Sequence, residues 1–259
     1  GGGNRLYGTE MKKYGLIGYP LAHSLSAEFF NAKFKTEGIN AVYELFPLES
    51  LSQLKSLLSL HPSLQGFNVT SPYKVEVMRY LDRIDEEAEL TGAVNTIRVE
   101  RARFRRPHLV GYNTDVKGFA DSLELIRKPW HTQALVLGSG GAALAVMRAL
   151  KKMGIAHRQV SRTPSAPGVY AYSDLTPEII ERHKLIVNAT PVGMYPHIDQ
   201  CPSIPFEGIG AEHLCYDLIY NPQETIFMHR AQAQGASVQN GLEMLLIQAL
   251  CSWRIWNER

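Results

Sequence analysis

The chain has 259 residues, 45% hydrophobic and 20% charged, with a formal net charge of +2. That length suffices for two ordinary domains, and the near-average composition excludes a disordered chain. The small charge with scattered basic residues argues against nucleic-acid binding, and no apolar run of about 18 residues marks a membrane span.

The three cysteines, Cys201, Cys215 and Cys251, form no C-x-x-C pair. A disulfide framework and a metal site are therefore not expected, and a reducing, cytoplasmic location is. Residues 1–10 lack an apolar core and are not a signal peptide; they read as a linker ahead of Met11.

Tyr14 to Gly18 is short and apolar and reads as a buried strand running into a loop. That loop carries His23-Ser24-Leu25-Ser26. Ser26 is the expected N-cap of a helix from Ala27 to Gly38. Ala41 to Leu45 is a second strand, Leu51 to Leu60 a leucine-rich helix, and Gly66 to Thr70 a third strand. Pro72 then ends the strand or opens a helix through Leu81. A further helix closes from Ala88 to Gly92. Val94 to Val99 and Leu109 to Tyr112 read as paired strands. Between them lie Arg101, Arg103, Arg105 and Arg106, which fit a solvated hairpin tip better than a polyanion site.

From Val116 the pattern changes. Phe119 to Ile126 reads as a helix. Next come an apolar strand at 134–137, the turn Gly138-Ser139-Gly140-Gly141-Ala142-Ala143, a helix to Met153 and a strand from Ile155 to Val160. This is one βαβ unit. A helix follows Thr176-Pro177, strands cover 185–188 and 214–218, and helices cover 225–234 and 242–253. Alternating strands and helices throughout indicate an α/β fold in both halves.

Gly138-x-Gly140-x-x-Ala143 fits the dinucleotide pattern G-x-G-x-x-G/A. Glycines allow the tight turn and close approach to a pyrophosphate, which the helix N-terminus receives. At the end of the next strand stands Ser161-Arg162-Thr163 rather than an acidic residue. Arg162 can pair with a 2′-phosphate, which favours NADP over NAD.

Ahead of this turn lie two polar signatures, Asn68-Val69-Thr70-Ser71-Pro72-Tyr73-Lys74 and Gly111-Tyr112-Asn113-Thr114-Asp115. A lone Lys is usually a surface charge, and a lone Asp at a strand end is usually a turn residue or a cap. Together, Lys74 can act as a general acid and Asp115 can orient it. Ser24 and Ser26 can hydrogen-bond a small carboxylate, although helix capping explains Ser26 equally well. Asn95, Asn113 and Gln248 carry amides that both donate and accept, suiting a polyhydroxylated ring. The residues alone point to an NADP-dependent reductase of a small polar carbonyl compound.

Over residues 14–255 the chain resembles the shikimate dehydrogenase family. The resemblance rests on His23-Ser24-Leu25-Ser26, the two signatures above, Gly92-Ala93-Val94-Asn95-Thr96, Asn188-Ala189-Thr190-Pro191-Val192-Gly193-Met194, Tyr220-Asn221-Pro222 and Asn240-Gly241-Leu242-Glu243-Met244-Leu245. It implies a two-domain α/β fold. Residues 11–115 plus 242–259 would form a substrate domain, and 116–241 a Rossmann-like NADP domain.

The resemblance also implies Lys74 and Asp115 as the catalytic pair. Ser24 and Ser26 would hold the substrate carboxylate, and Thr70, Asn95, Asp115, Tyr220 and Gln248 would line the ring site. Gly138, Ser139, Gly140, Gly141, Ala142, Ser161, Arg162 and Thr163 would hold NADP, with Leu218 and Gly241 near the nicotinamide. The partners implied are small molecules, shikimate and 3-dehydroshikimate, bound by a monomer or homodimer without nucleic acid or membrane. The chain departs from the family pattern in carrying Ala27 for Pro and Phe30 for His, and in lacking a second basic residue after Arg162. An NAD-using quinate/shikimate dehydrogenase, a catalytically silent ligand sensor, and one domain of a fusion with a dehydroquinase are the alternatives. Retention of both Lys74 and Asp115 argues against the sensor.

Overall fold

The computed structural model describes residues 10–258. The linker expected at residues 1–10 lies, apart from Glu10, outside them. The chain divides into two compact units, Gly1–Thr114 with Ala249–Arg259, and Asp115–Gln248.

The first unit contains β1 (Lys12–Gly18), α1 (Leu25–Glu37), β2 (Ala41–Pro47), α2 (Leu54–Leu60), β3 (Leu64–Val69), β4 (Arg83–Ile84), α3 (Glu86–Thr91), β5 (Thr96–Glu100) and β6 (His108–Tyr112). Its mixed sheet has the order β2-β1-β3-β5-β6-β4. Strand β1 runs parallel to β2 and β3, while β3–β5 and β5–β6 are antiparallel. Alternation along the strands sends side chains to two cores. Ile17, Phe46, Leu64, Phe67 and Ile97 fill one. Tyr14, Leu16, Phe30, Phe34 and Tyr43 fill the other, with Ala249 and Trp256 from the end of the chain.

The expected N-cap moves by two residues. Ser24, in an extended conformation, accepts from the Ala27 N–H at 3.2 Å, whereas Ser26 sits buried inside the first turn. Gly38 ends the helix at φ 66°, where the absent Cβ relieves the strain of the left-handed region. Phe30, the departure from the family's His, stacks on Tyr43 at 4.9 Å and 11°. Asn31 brackets the same Tyr43 backbone with two hydrogen bonds, 3.0 and 2.9 Å. Phe30 is therefore fully buried in the packing of α1 on β2.

No α-helix forms over 72–81. Tyr73 is buried and its hydroxyl donates to the Leu48 carbonyl, so the segment turns there and makes only a short 3-10 turn at Glu76–Tyr80. The Arg cluster does lie on the β5–β6 hairpin. Arg101 caps the carbonyls of His61 and Leu64, and Arg106 pairs with Asp82 at 2.6 Å.

The second unit contains α4 (Asp115–Glu124), β7 (Gln133–Leu137), α5 (Gly141–Lys152), β8 (Ala156–Val160), α6 (Pro177–Arg182), β9 (Leu185–Asn188), β10 (Leu214–Asp217), α7 (Ile226–Ala233), β11 (Ser237–Gln239) and α8 (Leu242–Asn257). Its sheet has the order β11-β10-β9-β7-β8, and every pairing is parallel. Ala134, Val136, Leu185, Val187 and Tyr216 pack with residues of α4 and α5. Leu135, Leu137, Ile186 and Cys215 pack with residues of α6 and α7. This is a Rossmann-like arrangement, with its topological switch point between β7 and β9.

Three details differ from the sequence expectation. Helix α4 begins at Asp115 rather than Phe119, and the short strands β4 and β11 were not anticipated. The division also falls inside α8. Met244 belongs to the second unit's core, while Ala249 and Trp256 belong to the first unit's aromatic cluster.

Candidate active site

The expected site residues fall into two sets, one in each unit. In the first unit, backbone hydrogen bonds tie together the segments at the ends of the inner strands β1, β3, β5 and β6. Thr70 N–H donates to Ile17 at 2.9 Å, Tyr19 N–H to Ser71 at 3.2 Å, Val69 N–H to Asn95 at 2.8 Å, Val94 N–H to Lys74 at 2.8 Å and Asn95 N–H to Tyr112 at 3.1 Å. These bonds bring together the loops that carry Thr70, Lys74 and Asn95. Close approach is required here, since a Cβ on Gly18 would lie 2.5 Å from the Thr70 methyl.

Below the loops lies a buried polar network. Asn95 Oδ1 accepts from Thr114 N–H at 2.7 Å, and its Nδ2 donates to Thr114 Oγ1 at 2.9 Å. Asn68 Nδ2 donates to Ser252 Oγ at 3.0 Å and to Thr96 Oγ1 at 3.2 Å, while its Oδ1 accepts from the Tyr43 hydroxyl at 2.8 Å. Ser252 Oγ lies 2.8 Å from Thr96 Oγ1 and 3.2 Å from Thr114 Oγ1. Asn95 is thus held by the residue that immediately precedes Asp115. Ser24 and Ser26 are both buried at the start of α1. As a cap, Ser24 uses its oxygen as an acceptor and keeps an O–H that can donate to a carboxylate.

In the second unit, Asp115 is buried in the first turn of α4. Gln248 is buried on α8, its amide donating to the Leu245 carbonyl at 2.9 Å. Gly118 lets the two helices approach, since its Cβ would meet the Met244 carbonyl at 2.8 Å. Tyr220 follows β10, and burial raises its hydroxyl pKa.

The Gly-rich turn follows β7 at the switch point. Gly138 has φ 127°, and a Cβ there would lie 2.9 Å from the Ala189 carbonyl oxygen. Gly140 is the N-cap of α5 with no side-chain cap, and a Cβ there would point into open space. Uncapped N–H groups beside open space form a cradle for a pyrophosphate. After β8, buried Ser161 accepts from Thr163 N–H at 3.2 Å and so shapes the turn that carries exposed Arg162. Arg162 makes no salt bridge among the described residues, which suits it to a 2′-phosphate. Gly241 packs against β10's exit, where a Cβ would overlap the Leu218 carbonyl oxygen at 1.8 Å. These residues fit a dinucleotide with a 2′-phosphate.

Sequence reasoning missed Asp217 and the polar role of Asn188, both fully buried at strand ends. Their signal was one polar residue closing each otherwise apolar strand. No cluster of metal-ligating side chains occurs among the described residues.

Residues 16–97 match the family model described as the shikimate dehydrogenase substrate binding domain. A curated relative, the shikimate dehydrogenase (NADP(+)) of Methanococcus maripaludis, is 38% identical across 96% of this chain and 92% of its own. The crystal structure of shikimate dehydrogenase from Aquifex aeolicus superposes with a TM-score of 0.82 at 35% identity, covering 95% of this chain and 92% of that one. A Thermus thermophilus shikimate 5-dehydrogenase, solved in complex with NADP(H) and shikimate, gives 0.82 at 34% identity, covering 95% and 94%.

Proposed function

The chain belongs to the shikimate dehydrogenase family, and on that premise we propose that it carries out the reversible, NADPH-dependent reduction of 3-dehydroshikimate to shikimate. The observation that carries this is the 38% identity to an NADP-using shikimate dehydrogenase over 96% of the chain. It places the enzyme in the shikimate pathway of aromatic amino acid biosynthesis. Use of NAD is not favoured, since the curated relative is NADP-dependent and Arg162 stands where NAD enzymes place a carboxylate.

In this reading Ser24 and Ser26 hold the substrate carboxylate, and Thr70, Asn95, Tyr220 and Gln248 line the ring site. Lys74, as its ammonium, gives a proton to the carbonyl oxygen as negative charge develops there, and Asp115 orients the Lys74 amine and the hydroxyl being formed. Gly138, Ser139, Gly140, Gly141, Ala142, Ser161, Arg162 and Thr163 hold the cofactor, with Leu218 and Gly241 at its nicotinamide end. NADPH bound there supplies the hydride that reduces the ketone, and NADP+ accepts it in reverse. The enzyme would work in the cytoplasm as a monomer or homodimer. No described helix is long and apolar enough to cross a membrane.

The test is a substrate panel read at the reduced-nicotinamide absorbance. Shikimate with NADP should give reduction, while quinate, or NAD in place of NADP, should give little. Equal rates with NAD or quinate would move the assignment to a quinate/shikimate dehydrogenase. No reduction with any pair in folded protein would overturn it.

A further inference from the structure

Asp217 closes β10 with its side chain fully buried, and each partner it has is a donor. Its carboxylate accepts from Ile219 N–H at 3.0 Å, Asn188 Nδ2 at 3.2 Å and Thr225 Oγ1 at 2.7 Å. Those donors belong to three segments: the turn leaving β9, the chain leaving β10, and the start of α7.

The bonds continue outward. Asn188 Oδ1 accepts from Thr190 N–H at 3.1 Å and Thr190 Oγ1 at 2.6 Å, and Thr190 Oγ1 accepts from Val192 N–H at 3.1 Å. The turn so fixed includes Ala189, whose carbonyl bounds the absent side chain of Gly138 in the dinucleotide turn. On the other side, Leu218 N–H donates to Asn188 at 3.0 Å, and the Ile219 carbonyl accepts from Gly241 N–H at 3.1 Å. One carboxylate thereby sets the spacing between the turn facing Gly138 and the Leu218–Gly241 contact.

We propose that Asp217 is a positioning residue for the cofactor: it never touches NADP, but locks the 188–192 turn and the 217–219 exit into the shape that receives its nicotinamide end. The proposal rests on the NADP-binding reading of this unit.

The choice of Asp over Asn follows from the donor count. Thr225 Oγ1 donates to Asp217 while already accepting from Met228 N–H at 3.2 Å as the N-cap of α7. An amide at 217 would turn an NH2 toward at least one of three donors and leave a buried mismatch. Burial of the carboxylate pushes its pKa up to about 6, a desolvation cost that the three donors partly offset. A costly buried charge at a strand end, serving two ligand-side loops, is better explained by loop geometry than by core stability.

The experiment measures NADP and shikimate dissociation constants separately, by calorimetry at neutral pH, for the parent and Asp217→Asn. The expected result is NADP binding weakened about tenfold with shikimate binding within about twofold of the parent. Thr225→Val should show the same asymmetry at about threefold, with Thr225→Ser restoring parental affinity, and it carries the test if Asp217→Asn does not fold. Unchanged NADP affinity would overturn the proposal. So would an equal loss of affinity for both ligands, which marks general loosening. A parent protein that neither binds NADP nor oxidises shikimate would instead overturn the family-based reading beneath it, and this proposal with it.

Discussion

The two sheets place their polar residues differently. In the second unit's parallel sheet, every residue of β9 and β10 is buried, and polarity is confined to the last position, Asn188 and Asp217. In the first unit's mixed sheet, polar side chains sit within or beside the strands, where Asn68 and Thr96 meet Ser252. Strands covered on both faces have no solvated side for polar groups, so such groups gather where the strands end. Those ends form the crevice where α/β sheets bind ligands. The mixed sheet instead buries a hydroxyl and amide network that braces the loops carrying Lys74 and Asn95. One unit fixes its loops through turns at strand ends, the other through bonds made inside the sheet.

If the chemistry belongs to the first unit's loops, Lys74→Ala should lower kcat about 10^3-fold, with NADP affinity nearly unchanged. Turnover within about tenfold of the parent would remove Lys74 as proton donor.

The buried carboxylate of the second unit gives a pH signature that the first unit's neutral network lacks. Asp217 is held at about 6, above its unfolded value. Its contribution is fully present below the unfolded pKa and is lost as pH rises through about 6, since the folded state binds the extra proton in between. The thiol of Cys201 senses the Asp217 charge, Arg230 sits beside that thiol, and the remaining neighbours Thr225, Asn188 and Ile219 are uncharged donors. Parallel denaturant titrations of the parent and Asp217→Asn should show the parent losing about 3 kcal/mol relative to the variant between about pH 4 and about pH 7. Parallel stability curves across that range would contradict it.

Ser252→Ala probes the other network. It removes a hydroxyl shared by Asn68, Thr96 and Thr114 and should cost about 2 kcal/mol in chemical denaturation. A loss below about 0.5 kcal/mol would mean that its neighbours re-pair among themselves. Gly140→Ala should have the smallest effect on stability, because its Cβ would meet nothing and its φ of −86° is ordinary. It should still weaken NADP binding about tenfold by filling the cradle, as isothermal titration would show. Parental affinity in that variant would place the pyrophosphate elsewhere.

Much of this was legible in the sequence. The strand, Gly turn and helix at 134–153 and the hairpin strands around the Arg cluster follow from apolar runs and turn residues. The signature segments mark the loops that carry Thr70, Lys74 and Asn95. The capping Ser was misplaced because Ser24 and Ser26 have equal propensity, and only the backbone conformation at Ser24 decides between them. The helix expected after Pro72 failed because a tertiary bond, Tyr73 to Leu48, overrides local preference. The Asp217 hub was invisible because Asn188, 29 residues away in the chain, meets Asp217 only when parallel strands β9 and β10 pair in register. The split of α8 has a similar cause, since its apolar residues serve two cores that periodicity cannot distinguish.

The measurement that bears most directly on this division of labour is a pair of binding isotherms, for shikimate and for NADP, on Asn95→Ala and Arg162→Gln. The expected result is a clean crossing: Asn95→Ala weakens shikimate binding about tenfold and leaves NADP alone, while Arg162→Gln does the reverse. Both ligands weakened equally by either variant would contradict it.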